Sequence, residues 1–142
     1  MARNQPFTVR LDPGLEGRIE RLAKRAKRSK GAMLGELADE AERMRRYPQI
    51  AFRGAEGDRR AWIIGTALDV WQVIEGFRDH GDDTAATLAG TELTRRHLDA
   101  ALDYYREFRL EIDEALDTNR PAPDAVRDSY PFVRILDSDA KS

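Results

Sequence analysis

Seven cationic side chains, Arg18, Arg21, Lys24, Arg25, Lys27, Arg28 and Lys30, fall within one short stretch. A run this dense could neutralise the repeating charge of a phosphodiester backbone, or it could be a solvated helix face. Further along, Asp79, His80, Asp82 and Asp83 bring four potential metal ligands close together. They fall where one helix is predicted to stop and another to start. Acidic caps are common at such positions, so the group reads as caps and no metal is expected. Glu111, Asp113, Glu114 and Asp117 spread over several faces of one predicted helix and read as solvated surface. The chain has no cysteine, which excludes disulfides, thiol nucleophiles and thiolate metal sites, and its only histidines are His80 and His97. No Ser–His–Asp grouping, glycine-rich phosphate loop or paired carboxylate stands out, so no catalytic residue is assigned and neither an enzyme nor a cofactor is expected.

The charge is unevenly placed. Lys and Arg number 24 against 26 Asp and Glu in 142 residues, a net of -2. Residues 1–50 nevertheless carry twelve basic and seven acidic groups, and residues 51–142 carry twelve and nineteen. A polyanion-facing front and an acidic remainder with a separate task are expected. No apolar run reaches the length of a membrane span and no leader pattern opens the chain, so a soluble, cytoplasmic protein without membrane partners is expected.

The elements that would position these residues follow from periodicity. Phe7-Thr8-Val9-Arg10-Leu11 alternates as a strand does. Asp12-Pro13 is a helix start, followed by Leu15, Ile19, Leu22 and Ala26 at helical spacing. Ser29 opens a second helix with Met33, Leu34, Leu37, Ala41 and Met44 on its inner face, closed by Pro48. A lone five-residue strand has no ladder partner in this segment. A second copy would supply one, so a homodimer is expected, with Phe7, Val9 and Leu11 in its core. From Ile50, Ile50–Arg53 and Arg59–Ile64 read as a hairpin around a glycine-rich turn. Asp69, Asp82 or Asp83, and Thr94 then cap three further helices, the outline of a helix-turn-helix core. Trp71 and Tyr105 read as core packing, whereas Trp62 on the hairpin is open between core, partner contact and exposed edge. After Asn119 come Pro121, Pro123 and Pro131, with an apolar island from Tyr130 to Leu136.

The first segment, through Phe7-Thr8-Val9-Arg10-Leu11-Asp12 and Arg28-Ser29-Lys30-Gly31-Ala32-Met33, resembles a ribbon-helix-helix DNA-binding module. The resemblance implies an intermolecular two-stranded ribbon lying in the major groove of operator DNA. Thr8 and Arg10 would contact bases, and Lys27, Arg28, Ser29 and Lys30 would contact phosphates around the second helix start. The remaining cations of the first helix would lie away from that ribbon. Pro6 stands where such modules usually carry a polar outward residue. Residues from about 48 to 116, with Gly57-Asp58-Arg59-Arg60-Ala61, Gly65 to Ile74 and Ala101 to Glu107 in order, resemble a small helical domain found in bacterial VapB-type antitoxins. Those accompany PIN-like ribonuclease toxins. Relatives end the long helix after the Tyr-Tyr pair; Phe108-Arg109-Leu110 holds no breaker, so this helix is expected to run on to about Leu116.

The resulting expectation is a mainly α chain. Residues 1–47 form a ribbon-helix-helix unit, 48–118 a helix-turn-helix-like unit with a short β-hairpin, and 119–142 an extended tail. The resemblance implies an antitoxin that represses its own operator as a homodimer, joins higher oligomers with its toxin, and silences a PIN-like ribonuclease. In the tail, Tyr130, Phe132, Arg134 and Ile135 are the toxin-binding candidates, with Arg134 placed to enter the ribonuclease's carboxylate cluster. The tail could equally pack back on the protein's own dimer. The alternative function is a stand-alone transcriptional regulator whose second unit senses a ligand or adds oligomer contacts.

Overall fold

A computed structural model of the chain describes residues 5–120. Six helices and one two-stranded sheet follow in the order α1 (Pro13–Ala26), α2 (Lys30–Arg46), β1 (Ile50–Arg53), β2 (Arg60–Ile63), α3 (Val70–Asp79), α4 (Thr84–Gly90), α5 (Arg95–Glu107) and α6 (Arg109–Asn119).

Local chemistry sets most boundaries. Asp12 accepts the Leu15 amide at 3.1 Å and Pro13 occupies the first turn of α1. The helix ends with Lys27 in the left-handed region (φ 54°), where the amides of Lys27 and Arg28 close back onto the carbonyls of Lys24 and Ala23. Ser29 accepts the Ala32 amide at 3.1 Å and opens α2. The two helices enclose a small core of Ile19, Ala23 and Met33, flanked by Leu11, Leu22, Ala26, Leu34 and Leu37.

The hairpin pairs Ile50 with Ile63 and Arg53 with Arg60. Gly54 turns at φ 111°, a conformation in which a Cβ would strike the Asp58 carbonyl. Asp69 caps α3, Asp83 caps α4 through the Ala86 amide at 2.7 Å, and Thr94 caps α5 through the His97 amide at 3.2 Å. His80 closes α3, its Nδ1 lying 2.6 Å from the Gly76 carbonyl. Of the group between α3 and α4, His80 and Asp83 are caps, Asp79 ends α3, and Asp82 turns at φ 56°. A larger core gathers Ile50, Ile63, Val73, Ile74, Leu98 and Tyr104 from the sheet and from α3 and α5. Trp71 and Tyr105 lie partly buried against it, and Trp62 is half-buried beneath the Arg53 guanidinium.

Two expectations are corrected. The order strand–helix–helix is not found, so the fold is not a ribbon-helix-helix. Residues 5–12 form neither strand nor helix, and the one sheet among the described residues comes after two helices, within a single chain. Alternation at Phe7–Leu11 satisfies no ladder by itself, and among the described residues no strand of the same chain lies beside it. Within the single chain Phe7 is 86% exposed and Val9 is exposed, while Leu11 packs against α1 and α2. Second, the long helix does not run on to Leu116. It breaks at Phe108 (φ -109°, ψ 41°), and α6 turns to pack against α3 and α5, adding a fourth helix to the expected three. Tertiary packing makes the break, because the Phe108 ring stacks on Tyr104 with centroids 4.6 Å apart and lies under the Arg43 guanidinium.

Candidate nucleic-acid interface

The apolar residues of α1 set where its cations point. Ile19, Leu22, Ala23 and Ala26 face α2, so Arg18, Arg21 and Arg25, at i, i+3 and i+7, line one outer flank of α1 with Lys24 further round. All four are exposed. Among the described residues no carboxylate lies within ion-pair distance of Arg10, Arg18, Arg21, Lys24, Arg25 or Lys27. At 1.5 Å rise per residue, Arg18 to Arg25 spans about 10 Å, a row long enough to meet more than one phosphate.

Several cations elsewhere are ion-paired. In α2, Arg43 pairs with Asp39 and Glu111, and Arg46 with Glu42 and Glu107. On the hairpin, Arg59 reaches Glu40 at 2.8 Å. Arg53 and Arg60 bracket Asp69 at 2.7 and 2.9 Å, and Arg78 meets Asp113 at 3.4 Å. The Arg46 and Tyr47 hydrogen bonds hold the Glu107 carboxyl below its ordinary pKa. These arginines tie α2, the hairpin and α3 to neighbouring carboxylates, whereas the α1 row faces water.

The predicted site residues divide the same way. Thr8 and Arg10 are exposed on the segment before α1. Lys27 is exposed at the left-handed turn. Ser29 spends its oxygen on the α2 cap, Arg28 pairs with Glu36, and Lys30 binds Glu16 at 2.6 Å and Glu20 at 3.6 Å. The hydrogen bond from Lys30 and the nearby charge of Glu16 raise the ammonium pKa. At the start of α2, Arg28 and Lys30 are thus ion-paired within the chain, and Lys27 has no carboxylate partner among the described residues. Sequence reasoning set aside Arg18, Arg21, Lys24 and Arg25 because they lie off a ribbon surface. The i, i+3, i+7 spacing of Arg18, Arg21 and Arg25 beside the apolar stripe was the signal that could have found them. Tyr130, Phe132, Arg134 and Ile135 lie outside the described residues.

No cluster of three or more His, Asp or Glu side chains placed to hold a metal ion occurs among the described residues. No helix among them is long and apolar enough to cross a membrane. No family model, curated protein or solved structure matches the chain.

Proposed function

We propose that the protein binds DNA through the outer face of α1 and acts as an antitoxin-type regulator. The observation that carries the DNA half is the exposed row Arg18, Arg21, Lys24 and Arg25, which has no carboxylate partner among the described residues, whereas Arg43, Arg46 and Arg59 do. Such a face supplies sequence-independent attraction to the duplex backbone. Thr8 and Arg10, exposed ahead of α1, are the groups positioned to add base contacts, arginine to guanine O6 and N7. Neutralisation of a PIN-like ribonuclease is supported by the order of motifs between residues 48 and 116, with Tyr130, Phe132, Arg134 and Ile135 as contacts.

Binding to a duplex should weaken with salt, losing about 0.9 in log–log slope for each phosphate neutralised. The double change Arg21→Ala and Arg25→Ala should reduce that slope by about two and weaken binding on every sequence. A parent protein that ignores duplex DNA at low salt, or an unchanged slope in the variant, would reject the interface. For the second half, truncation after Asn119 should leave DNA affinity intact while protection against a co-expressed partner ribonuclease falls. Full protection by the truncated chain would move the contact into residues 50–119.

A further inference from the structure

Between α5 and the link from α2 to β1 runs an open groove of about 560 Å³. Tyr47, Pro48 and Ala100 give it an apolar floor, and charged residues of α5 form its rim. The rim is polarised along the helix. Arg95 and Arg96 open α5 in a first turn that holds no acidic residue, so two cations sit at the positive end of the helix dipole. Asp99 and Asp103 follow along the same groove, and Asp99 stays with its own Arg95 at 3.7 Å. Asp103 is held loosely, by Arg106 at 3.4 Å, with both side chains at least 60% exposed. Arg96 meets no carboxylate among the described residues. With its oxygen turned toward the guanidinium, the neutral Gln49 amide accepts from Arg96 at 3.0 Å and leaves the charge uncompensated. Arg96, Ala100 and Asp103, at i, i+4 and i+7, form one stripe about 10 Å long.

We infer that this face is a homodimer interface, in which α5 of a second copy lies antiparallel across α5 about a two-fold axis near Ala100. The stripe is self-complementary in that arrangement. Arg96 comes opposite the partner's Asp103, and Asp103 comes opposite the partner's Arg96. Parallel pairing would instead set like charges together. Alanine at the crossing lets the two helices approach closely, with Tyr47 and Pro48 as apolar surface beside them. The partner's Asp103 also brings to the first turn of α5 the negative charge that its own sequence lacks. A polyanion in this groove would meet Asp99 and Asp103, and a polycation would meet Arg95 and Arg96. A second copy running in the opposite direction matches both ends. The contact uses none of Phe7, Val9 and Leu11, and it does not depend on the reading of α1 as a DNA-facing surface.

Sedimentation velocity of the full chain at low salt, from about 1 to 300 μM, tests this. The parent should be dimeric at the upper end and dissociate on dilution. Arg96→Asp and Asp103→Arg should each weaken association about 30-fold, because one reversal turns two attractive contacts into two repulsive ones, four times the worth of a single exposed pair. The decisive sample is an equimolar mixture of these two variants. In their heterodimer every contact again joins opposite charges, so the mixture should dimerise as the parent does while each variant alone does not. Both positions are exposed, and circular dichroism of each variant should match the parent's. A parent that stays monomeric throughout, variants that dimerise as tightly as the parent, or a mixture no better than its components would each overturn the interface. Val9→Asp should leave the dimer intact. Its loss there would place the contact in residues 5–12 and overturn the inference as well.

Discussion

Asp69→Ala is expected to cost about 3 kcal/mol and to loosen the hairpin from α3. Asp69 is only 4% exposed. Its carboxylate accepts from Arg53 at 2.8 Å, Arg60 at 2.9 Å and the Trp71 indole at 3.2 Å, and it caps α3 in a reciprocal box with Gln72. Alanine would strip two guanidinium groups of their shared anion and α3 of its cap at once. Breaking a buried pair costs about 3–5 kcal/mol, and the low end applies because both arginines keep a face to water. Burial pushes the Asp69 carboxyl up, but the hydrogen bonds from Arg60 and Arg53 outweigh it and hold the group below its ordinary value of 3.8. A carboxyl depressed in the folded state stabilises fully above the ordinary value, and the contribution disappears as pH falls through the folded one. Urea melts of parent and Asp69→Asn should therefore differ most near neutrality and converge below about pH 4. Parallel curves across that range would show that the anion is not the stabilising species.

Arg43→Ala should be nearly as damaging, at about 2–3 kcal/mol, and should release the end of α2 from the helical unit. The Arg43 side chain is 15% exposed. Its guanidinium lies 3.7 Å from the centroid of the Phe108 ring and donates at 2.8 Å to the Tyr104 hydroxyl and at 2.8 Å to Glu111. Tyr104 is fully buried and donates its own hydrogen to Glu111 at 2.8 Å. Burial and the charge of Glu111 push the Tyr104 phenol well above its ordinary pKa, so it stays a donor throughout the working range. Arg43→Lys keeps the charge but loses the planar group that lies over Phe108 while serving two acceptors, so it should recover less than half of the stability. Thermal melts followed by tyrosine absorbance would check the order parent, lysine, alanine. An alanine variant as stable as the parent would show that the aromatic cluster alone secures the joint.

What the sequence made legible was local. Asp12, Ser29, Asp83 and Thr94 cap helices because a side-chain oxygen three residues from an unpaired amide needs no tertiary information. The hairpin and the α1 apolar stripe were readable for the same reason. Phe7–Leu11 misled because alternation describes a strand's faces and not its hydrogen-bond partner. The break at Phe108 was invisible, since nothing in Phe108-Arg109-Leu110 opposes a helix. It is fixed by Arg43, Tyr47 and Tyr104, two of them distant in sequence. Asp69 was legible as a cap but not as a buried anion, because the arginines that bracket it arrive only with the hairpin register. Of the interface, the cationic residues could be read directly. Which of them carboxylates consume could not, as Lys30 meets Glu16 only when α1 and α2 fold together.

Helix α2 has one end in each of two cores of very different size, three buried residues towards its start and twelve around the sheet and α3–α6. Free energy of opening follows local burial, so the molecule has two thresholds instead of one. The smaller core is expected to open first, releasing α1 while the unit from Arg43 to Asn119 stays folded. In that opened form the cationic row is scattered along a loose peptide, and a protease has its first substrate. A ligand that grips α1 would withdraw molecules from this population and lengthen their life, whereas one that grips only the larger unit would leave the fraying end as it was.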